Sequence, residues 1–140
     1  MSTRANIVIK DKQDKLFFYR HSDGYPGGAM PILKHFMDWL RDGKIRGNVG
    51  QSAGWLVILG AMEYASIPTY SLEPTKYTRS YGDVNSINSP VDWKCGAIEP
   101  TIGIHGDIEY LYVIDVDTKT LECHGNWYDS GIGCNLILSY

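Results

Sequence analysis

One stretch of the chain decides the fold: Arg20-His21-Ser22-Asp23-Gly24-Tyr25-Pro26-Gly27-Gly28. It follows an apolar run that ends at Tyr19 and precedes a run of apolar residues at helical spacing. Since glycine and proline favour a turning backbone, the stretch predicts a junction between a strand and a helix. Polar groups at such a junction are held at the surface by a rigid scaffold, where they can bind a ligand. Aspartate and glycine also build tight turns unaided, and the sequence favours this structural interpretation.

Two β-rich runs lie on the amino-terminal side of this stretch. Ile7-Val8-Ile9 and Leu16-Phe17-Phe18-Tyr19 flank the charged connection Lys10–Lys15. Short β-branched and aromatic runs around a charged connection predict a hairpin, with the connection in solvent.

Two helices are predicted on the carboxyl-terminal side. The first is indicated by apolar residues at helical spacing, with Pro31 placed in its first turn and Asp42-Gly43 at its end; these are Met30, Leu33, Phe36, Met37 and Leu40. Ser52 is predicted to cap a second helix over Ala53–Glu63. Because this second helix is apolar nearly all round, we expect it to be the most buried element.

The remainder of the chain returns to strand patterns after a long connection over residues 66–88. Three runs predict strands, Ala97–Ile104, Glu109–Val116 and Leu121–His124, and Leu136–Leu138 is expected to pair as an edge strand. Strands, then helices, then strands favour an α+β fold. The sequence therefore predicts a single domain over residues 1–140, with an antiparallel sheet and two helices packed on one face.

Composition excludes several classes of function. The chain of 140 residues has 16 acidic and 13 basic side chains and a formal charge of −3, without a basic stripe, so no nucleic-acid partner is expected. No apolar run approaches the roughly twenty residues that a membrane span needs, so no membrane partner is expected. The absence of a signal peptide and of CxxC spacing predicts a cytoplasmic protein with reduced thiols. Neither a metal nor a cofactor is expected.

Several side chains are candidates for a site. His21 and Asp23 are two residues apart and could form an acid–base pair. Gly27-Gly28 at a helix start could present backbone donors to an anion, with Arg4 and Arg20 adding charge.

A second group of candidates lies further along the chain. His105, in His105-Gly106-Asp107, can reach the same rim as His21 from the end of a strand. Cys95 lies beside Lys94, while Cys123 and His124 point to opposite faces of a strand. Free cysteines are more often small buried hydrophobes than nucleophiles, and the roles of Cys95, Cys123 and Cys134 stay open.

The first 40 residues or so carry a resemblance. Ser2-Thr3-Arg4 at the start of the first strand, combined with Tyr19-Arg20-His21-Ser22-Asp23-Gly24-Tyr25-Pro26 after the second, resembles a broad group of small bacteriophage and prophage proteins. The resemblance implies no particular activity. It does imply that Arg4, His21, Asp23 and Tyr25 form a connected set, which an antiparallel hairpin would bring together.

Two hypotheses for function follow. The first is a phage- or prophage-encoded interaction protein that binds a host protein in the host cytoplasm, such as an inhibitor of a defence system like CRISPR. The alternative is a small enzyme or a module that binds a nucleotide or another small anionic ligand, with a pocket around Arg4, His21, Asp23 and Tyr25. A concave pocket lined by these side chains would favour the second, and a flat aromatic patch would favour the first. The oligomeric state is left open, a homodimer included.

Overall fold

The computed structural model describes residues 3–64, 98–125 and 135–140. Within these residues six strands form one sheet in the order β3-β2-β1-β4-β5-β6, and neighbouring strands are antiparallel except for the parallel central pair β1 and β4. The elements are β1 (Ala5–Lys10), β2 (Lys15–Arg20), α1 (Pro26–Arg41), α2 (Val49–Tyr64), β3 (Glu99–Thr101), β4 (Tyr110–Asp115), β5 (Thr120–Gly125) and β6 (Asn135–Ser139). The predicted α+β fold class is confirmed.

The two faces of the sheet differ in what covers them. Ile7 and Ile9 of β1 belong to the main core, which lies under α1 and α2 on what we call the helix-side face. Asn6 and Val8 alternate with them and point to the opposite, open face, because successive strand residues face opposite ways. β1 is buried along five of its six residues, so β1, rather than α2, is the most buried element.

Helix α1 begins one turn earlier than predicted. Pro26 occupies its first turn, where a missing N–H costs no helical bond, and the carbonyl of Tyr25 accepts from the N–H groups of Gly28 and Ala29. Pro31 is therefore inside the helix instead of in its first turn. Its ring lies on the exposed side of α1.

The end of α1 and the start of α2 show how capping sets helix limits. α1 ends at Asp42 and Gly43 as predicted, where Gly43 has a φ of +71° that glycine adopts without strain. The predicted cap of α2 at Ser52 is wrong. Asn48 Oδ1 accepts from the N–H of Gln51 at 2.9 Å, so the helix begins at Val49 and Ser52 is buried inside it.

The strands of the second half largely follow the prediction. β4 and β5 lie within a residue of the predicted limits, β6 lies at the sheet edge as expected, and β3 is shorter than Ala97–Ile104. The predicted connection over residues 66–88 lies outside the described residues. In the part of the chain that the structure describes, no helix is long and apolar enough to cross a membrane.

The chain between β3 and β4, residues 102–109, is the element that positions the candidate site. β3 lies beside β2 and β4 beside β1, so this β3–β4 loop has to cross β2 and β1. It crosses on the open face, where Ile108 is fully buried against Val8, Tyr19 and Leu111. The loop thereby gives the open face a small core of its own.

Candidate functional site

Tyr19 is the centre of a polar cluster on the open face. Its ring, 3% exposed, stacks on His105 with centroids 4.0 Å apart and contacts the edge of His21 at 4.5 Å. Its hydroxyl donates to Asp107 Oδ2 at 2.8 Å. We call the set around it the Tyr19 cluster: Arg4, Tyr19, His21, Glu99, Thr101, His105 and Asp107.

Strand register explains why these side chains meet. Glu99 of β3 lies opposite Tyr19 of β2, which in turn lies opposite Asn6 of β1. Residues directly opposite each other share a face, so all three lie on the open face. Ala5 and Arg20 are the last pair of the hairpin. Arg4 and His21 lie one position beyond this pair and are therefore on the open face beside Tyr19.

The ionisable side chains at the rim of the cluster contact one another in two pairs. Arg4 Nε lies 3.4 Å from Asp107 Oδ2, and His21 Nε2 lies 2.8 Å from Glu99 Oε1. All four side chains are between about a third and about a half exposed. The cluster thus presents one ion pair and one histidine–carboxylate hydrogen bond at a surface that a partner can contact.

Asn6 fastens the β3–β4 loop to the sheet. Its buried amide donates to the carbonyls of Phe18 at 2.8 Å and of Gly103 at 3.4 Å, while its Oδ1 accepts from the N–H of His105 at 2.7 Å. His105 Nε2 is also 2.8 Å from Thr101 Oγ1. Sequence reasoning missed Asn6, although an amide inside an otherwise apolar strand is a signal, since buried polar groups need hydrogen-bond partners.

The environment of Tyr19 fixes its protonation state. Burial, followed by the hydrogen bond to the Asp107 carboxylate, raises the pKa of Tyr19 to about 12. Both effects favour the neutral phenol, because the phenolate would be poorly hydrated and would face a second negative charge. Near neutral pH Tyr19 is therefore a hydrogen-bond donor and cannot serve as a base.

The structure brings together three of the five predicted site residues. Arg4, His21 and His105 all belong to the Tyr19 cluster, whereas the side chains of Asp23 and Tyr25 make none of its contacts. The main chain of Arg4 does lie against the turn, because the Gly24 N–H donates to the Thr3 carbonyl at 2.9 Å. The Arg4 side chain nevertheless pairs with Asp107 on the loop.

Asp23 and Tyr25 act through their backbones. Asp23 is exposed, has a φ of +55°, and offers its carbonyl to Arg20 Nε at 3.1 Å. Tyr25, 45% exposed, precedes the first turn of α1, and its carbonyl accepts hydrogen bonds from two N–H groups of the helix. The expectation that these two side chains join Arg4 and His21 in one pocket is therefore contradicted, because the turn directs them elsewhere.

Arg20 holds the turn together from the helix-side face. Only 2% exposed, it donates to the Glu63 carboxylate of α2 and to the carbonyls of Ser22 at 2.9 Å and Gly28 at 3.5 Å. The Gly28 N–H is already bonded to Tyr25. Arg20 and Gly28 thus have protein partners, which contradicts their predicted contribution to an anion site.

The β3–β4 loop also exposes two isoleucines that the sequence analysis did not single out. Ile102 is fully exposed and Ile104 is 46% exposed. They flank Gly103, whose carbonyl accepts from Asn6. The structure thereby places apolar side chains in water next to the Tyr19 cluster, on a loop fixed to the sheet.

A cavity of about 260 Å³ lies at the edge of the sheet beside α2. Its walls are almost wholly apolar and include Leu16, Phe18, Val57 and Pro100. Among the described lining residues, Thr101 alone also belongs to the Tyr19 cluster. None of the described residues that line the cavity carries the charge that an anionic ligand would need.

Of the three cysteines, Cys123 is the one that the structure describes. Cys123 is buried in the main core, while Cys95 and Cys134 lie outside the described residues. Among residues 3–64, 98–125 and 135–140 no three histidine, cysteine, aspartate or glutamate side chains are grouped so that they could hold a metal ion.

Comparison of the chain with protein-family models, with curated proteins and with solved structures gives no match. Its function has to be inferred from its own residues.

Proposed function

We propose that this chain is a small interaction protein that binds a protein partner through the β3–β4 loop and the adjoining Tyr19 cluster. The observation that carries the proposal is the exposure of Ile102 and Ile104 on a loop whose backbone is hydrogen-bonded to the sheet. Burying one isoleucine side chain contributes about 1.5–3 kcal/mol, so two of them can anchor an interface.

The fixed loop lowers the cost of association. Asn6 binds Gly103 and His105, and the His105 ring stacks on Tyr19, so the residues next to both isoleucines are already held in place. A preorganised loop loses little conformational entropy when a partner binds. The loop therefore has the rigidity that a recognition element needs.

The polar groups beside the isoleucines suit the rim of an interface. The Arg4–Asp107 ion pair and the His21–Glu99 hydrogen bond are both half-exposed, so their side chains can exchange hydrogen bonds with a partner. Protein interfaces commonly combine apolar anchors with a polar rim of this kind.

The alternative of an enzyme or anion-binding module has less support. It requires a pocket shared by Arg4, His21, Asp23 and Tyr25, and the side chains of the last two lie outside the cluster. Arg4 is also neutralised by Asp107.

The class of partner follows from the resemblance of the amino-terminal residues to phage and prophage proteins. A host protein is the partner we propose, and a component of a defence system such as CRISPR is the class to test first. The net charge of −3 argues against nucleic acid as the surface's target.

The test is affinity capture from host lysate with three forms of the protein. We expect a host protein that is retained by the wild type and lost by Ile102→Ser. Ile137→Ser is the matched control, since Ile137 is 65% exposed but lies on β6, away from the loop. Equal capture by all three forms would show that the loop does not carry binding.

Direct measurement with the purified partner completes the test. Calorimetry with wild type, Ile102→Ser and Ile104→Ser should give a loss of about ten-fold or more in affinity for each loop variant, as expected for anchor residues. Unchanged affinity in both variants would overturn the proposal.

A further inference from the structure

The two edges of the sheet are protected to different degrees. β3 forms one edge and has Pro100 at its centre, so it lacks a backbone donor there and is a poor template for a further strand. β6 forms the other edge and pairs with β5 alone among the described strands. Its sequence, Asn-Leu-Ile-Leu-Ser, contains neither proline nor charge.

Within the described residues, neither proline nor charge in β6 hinders pairing with a further strand. Proteins that stay monomeric usually block such an edge with lysine, proline, a bulge or a covering segment. Here the central residue of β6, Ile137, is 65% exposed. It lies opposite Glu122 of β5, on the side of the sheet away from the helices.

We propose that β6 pairs with β6 of a second copy of this chain, antiparallel and about a two-fold axis at Ile137. The two sheets would then continue into one. With Ile137 opposite its own copy, Asn135 lies opposite Ser139 of the second copy, so the five-residue strand pairs with itself along its length. Such a contact is isologous, the symmetry that closed dimers use.

The chemistry of the edge fits a second copy. The paired Ile137 side chains would form an apolar cross-strand contact of the kind that stabilises sheets. Among the described residues, the nearest charge on the same face is the Glu122 carboxylate, and the two copies of it are separated by three strand spacings, about 14 Å. Since this exceeds the Debye length of about 10 Å at 0.1 M salt, their repulsion is largely screened.

The first measurement is the molar mass in solution by sedimentation velocity, from low to high micromolar protein. We expect a monomer–dimer equilibrium for the wild type. Ile137→Lys and Ile137→Asp should both be monomeric, because either charge meets itself at the two-fold axis. Ile102→Lys is the matched control and should dimerise like the wild type, since it changes an exposed isoleucine distant from β6.

A mixing experiment makes the symmetry testable. Equimolar Ile137→Lys and Ile137→Asp should form a mixed dimer, because opposite charges then meet across the axis, while each alone stays monomeric. Circular dichroism of each variant checks that the fold is retained. A wild type that stays monomeric throughout, dimeric Ile137 variants, or a mixture that stays monomeric would overturn the proposal. The dimer does not depend on the proposed partner, which Ile102→Ser tests separately.

Discussion

The hydroxyl of Tyr19 donates a hydrogen bond of 2.8 Å to the carboxylate of Asp107, which lies 88 residues further along the chain. The bond joins the hairpin to the β3–β4 loop. Arg4 reaches the same carboxylate oxygen from β1's amino-terminal side. One carboxylate thus connects the first strand, the second strand and the loop that exposes Ile102.

Stability at alkaline pH should report on this bond. The pKa of Tyr19 is raised to about 12, whereas an unfolded tyrosine ionises near 10. The folded state therefore keeps its phenolic proton where the unfolded state loses it. The stabilisation is present in full below pH of about 10 and is lost as pH rises towards about 12. We expect denaturant unfolding to show a loss of about 2–3 kcal/mol in the free energy of unfolding over this range.

Tyr19→Phe should remove that part of the pH dependence. It should also cost about 1 kcal/mol at neutral pH, since Asp107 loses a donor. Tyr140→Phe serves as a comparison, because burial raises the pKa of Tyr140 as well. A Tyr19→Phe profile that falls as steeply as the wild type between pH 10 and 12 would contradict this role for Tyr19.

The buried ion pair between Arg20 and Glu63 should respond asymmetrically to mutation. Arg20→Met leaves the carbonyls of Ser22 and Asp23 without their buried donor and should cost about 3–5 kcal/mol in the free energy of unfolding. Glu63→Gln keeps an acceptor at a side chain that is 34% exposed and should cost about 1 kcal/mol. Equal costs in urea unfolding would show that the charge pair, and not the carbonyl contacts, stabilises the turn.

The sheet could be predicted from the sequence because its signals are local. β-rich runs around Lys10–Lys15 defined the hairpin, and the hairpin register is enough to place Arg4 near His21. The position of the Tyr19 ring depends instead on contacts with Glu99 and His105, which are distant in sequence. No local pattern in the sequence predicts that the β3–β4 loop crosses β2 and β1 to bring these residues together.

The contacts of the turn agree with the structural interpretation that the sequence favoured, whereas the alternative of surface ligands fails for a physical reason. Arg20 and Asp23 are polar residues at a strand end, and both read as surface ligands. The alternation of β2 sends Arg20 to the helix-side face, where it is buried against Glu63. Asp23 contributes its backbone conformation. The residue type alone does not distinguish this role from a binding role of the carboxylate.

Two glycines of α2 should differ in their response to alanine. A Cβ at Gly54 meets nothing within 4 Å, so Gly54→Ala should stabilise by about 0.5–1 kcal/mol through helix propensity. A Cβ at Gly60 would lie 3.0 Å from the buried Ile98 side chain, so Gly60→Ala should gain less or lose stability. Thermal unfolding of the two variants measures the difference, and a larger gain at Gly60 would contradict this packing.

Substitutions of Asp23 distinguish most sharply between a structural role and a binding role. Its φ of +55° is tolerated by aspartate, asparagine and glycine but disfavoured for β-branched residues by about 1–2 kcal/mol. Asp23→Asn should leave both the free energy of unfolding and the affinity for the partner unchanged, and Asp23→Val should destabilise. Ser22→Val is the matched control, because Ser22 is exposed and its φ is not positive. If Asp23→Asn instead weakened partner binding at unchanged stability, the carboxylate would belong to the binding surface. Urea unfolding and calorimetry on the same protein samples therefore decide between the two roles.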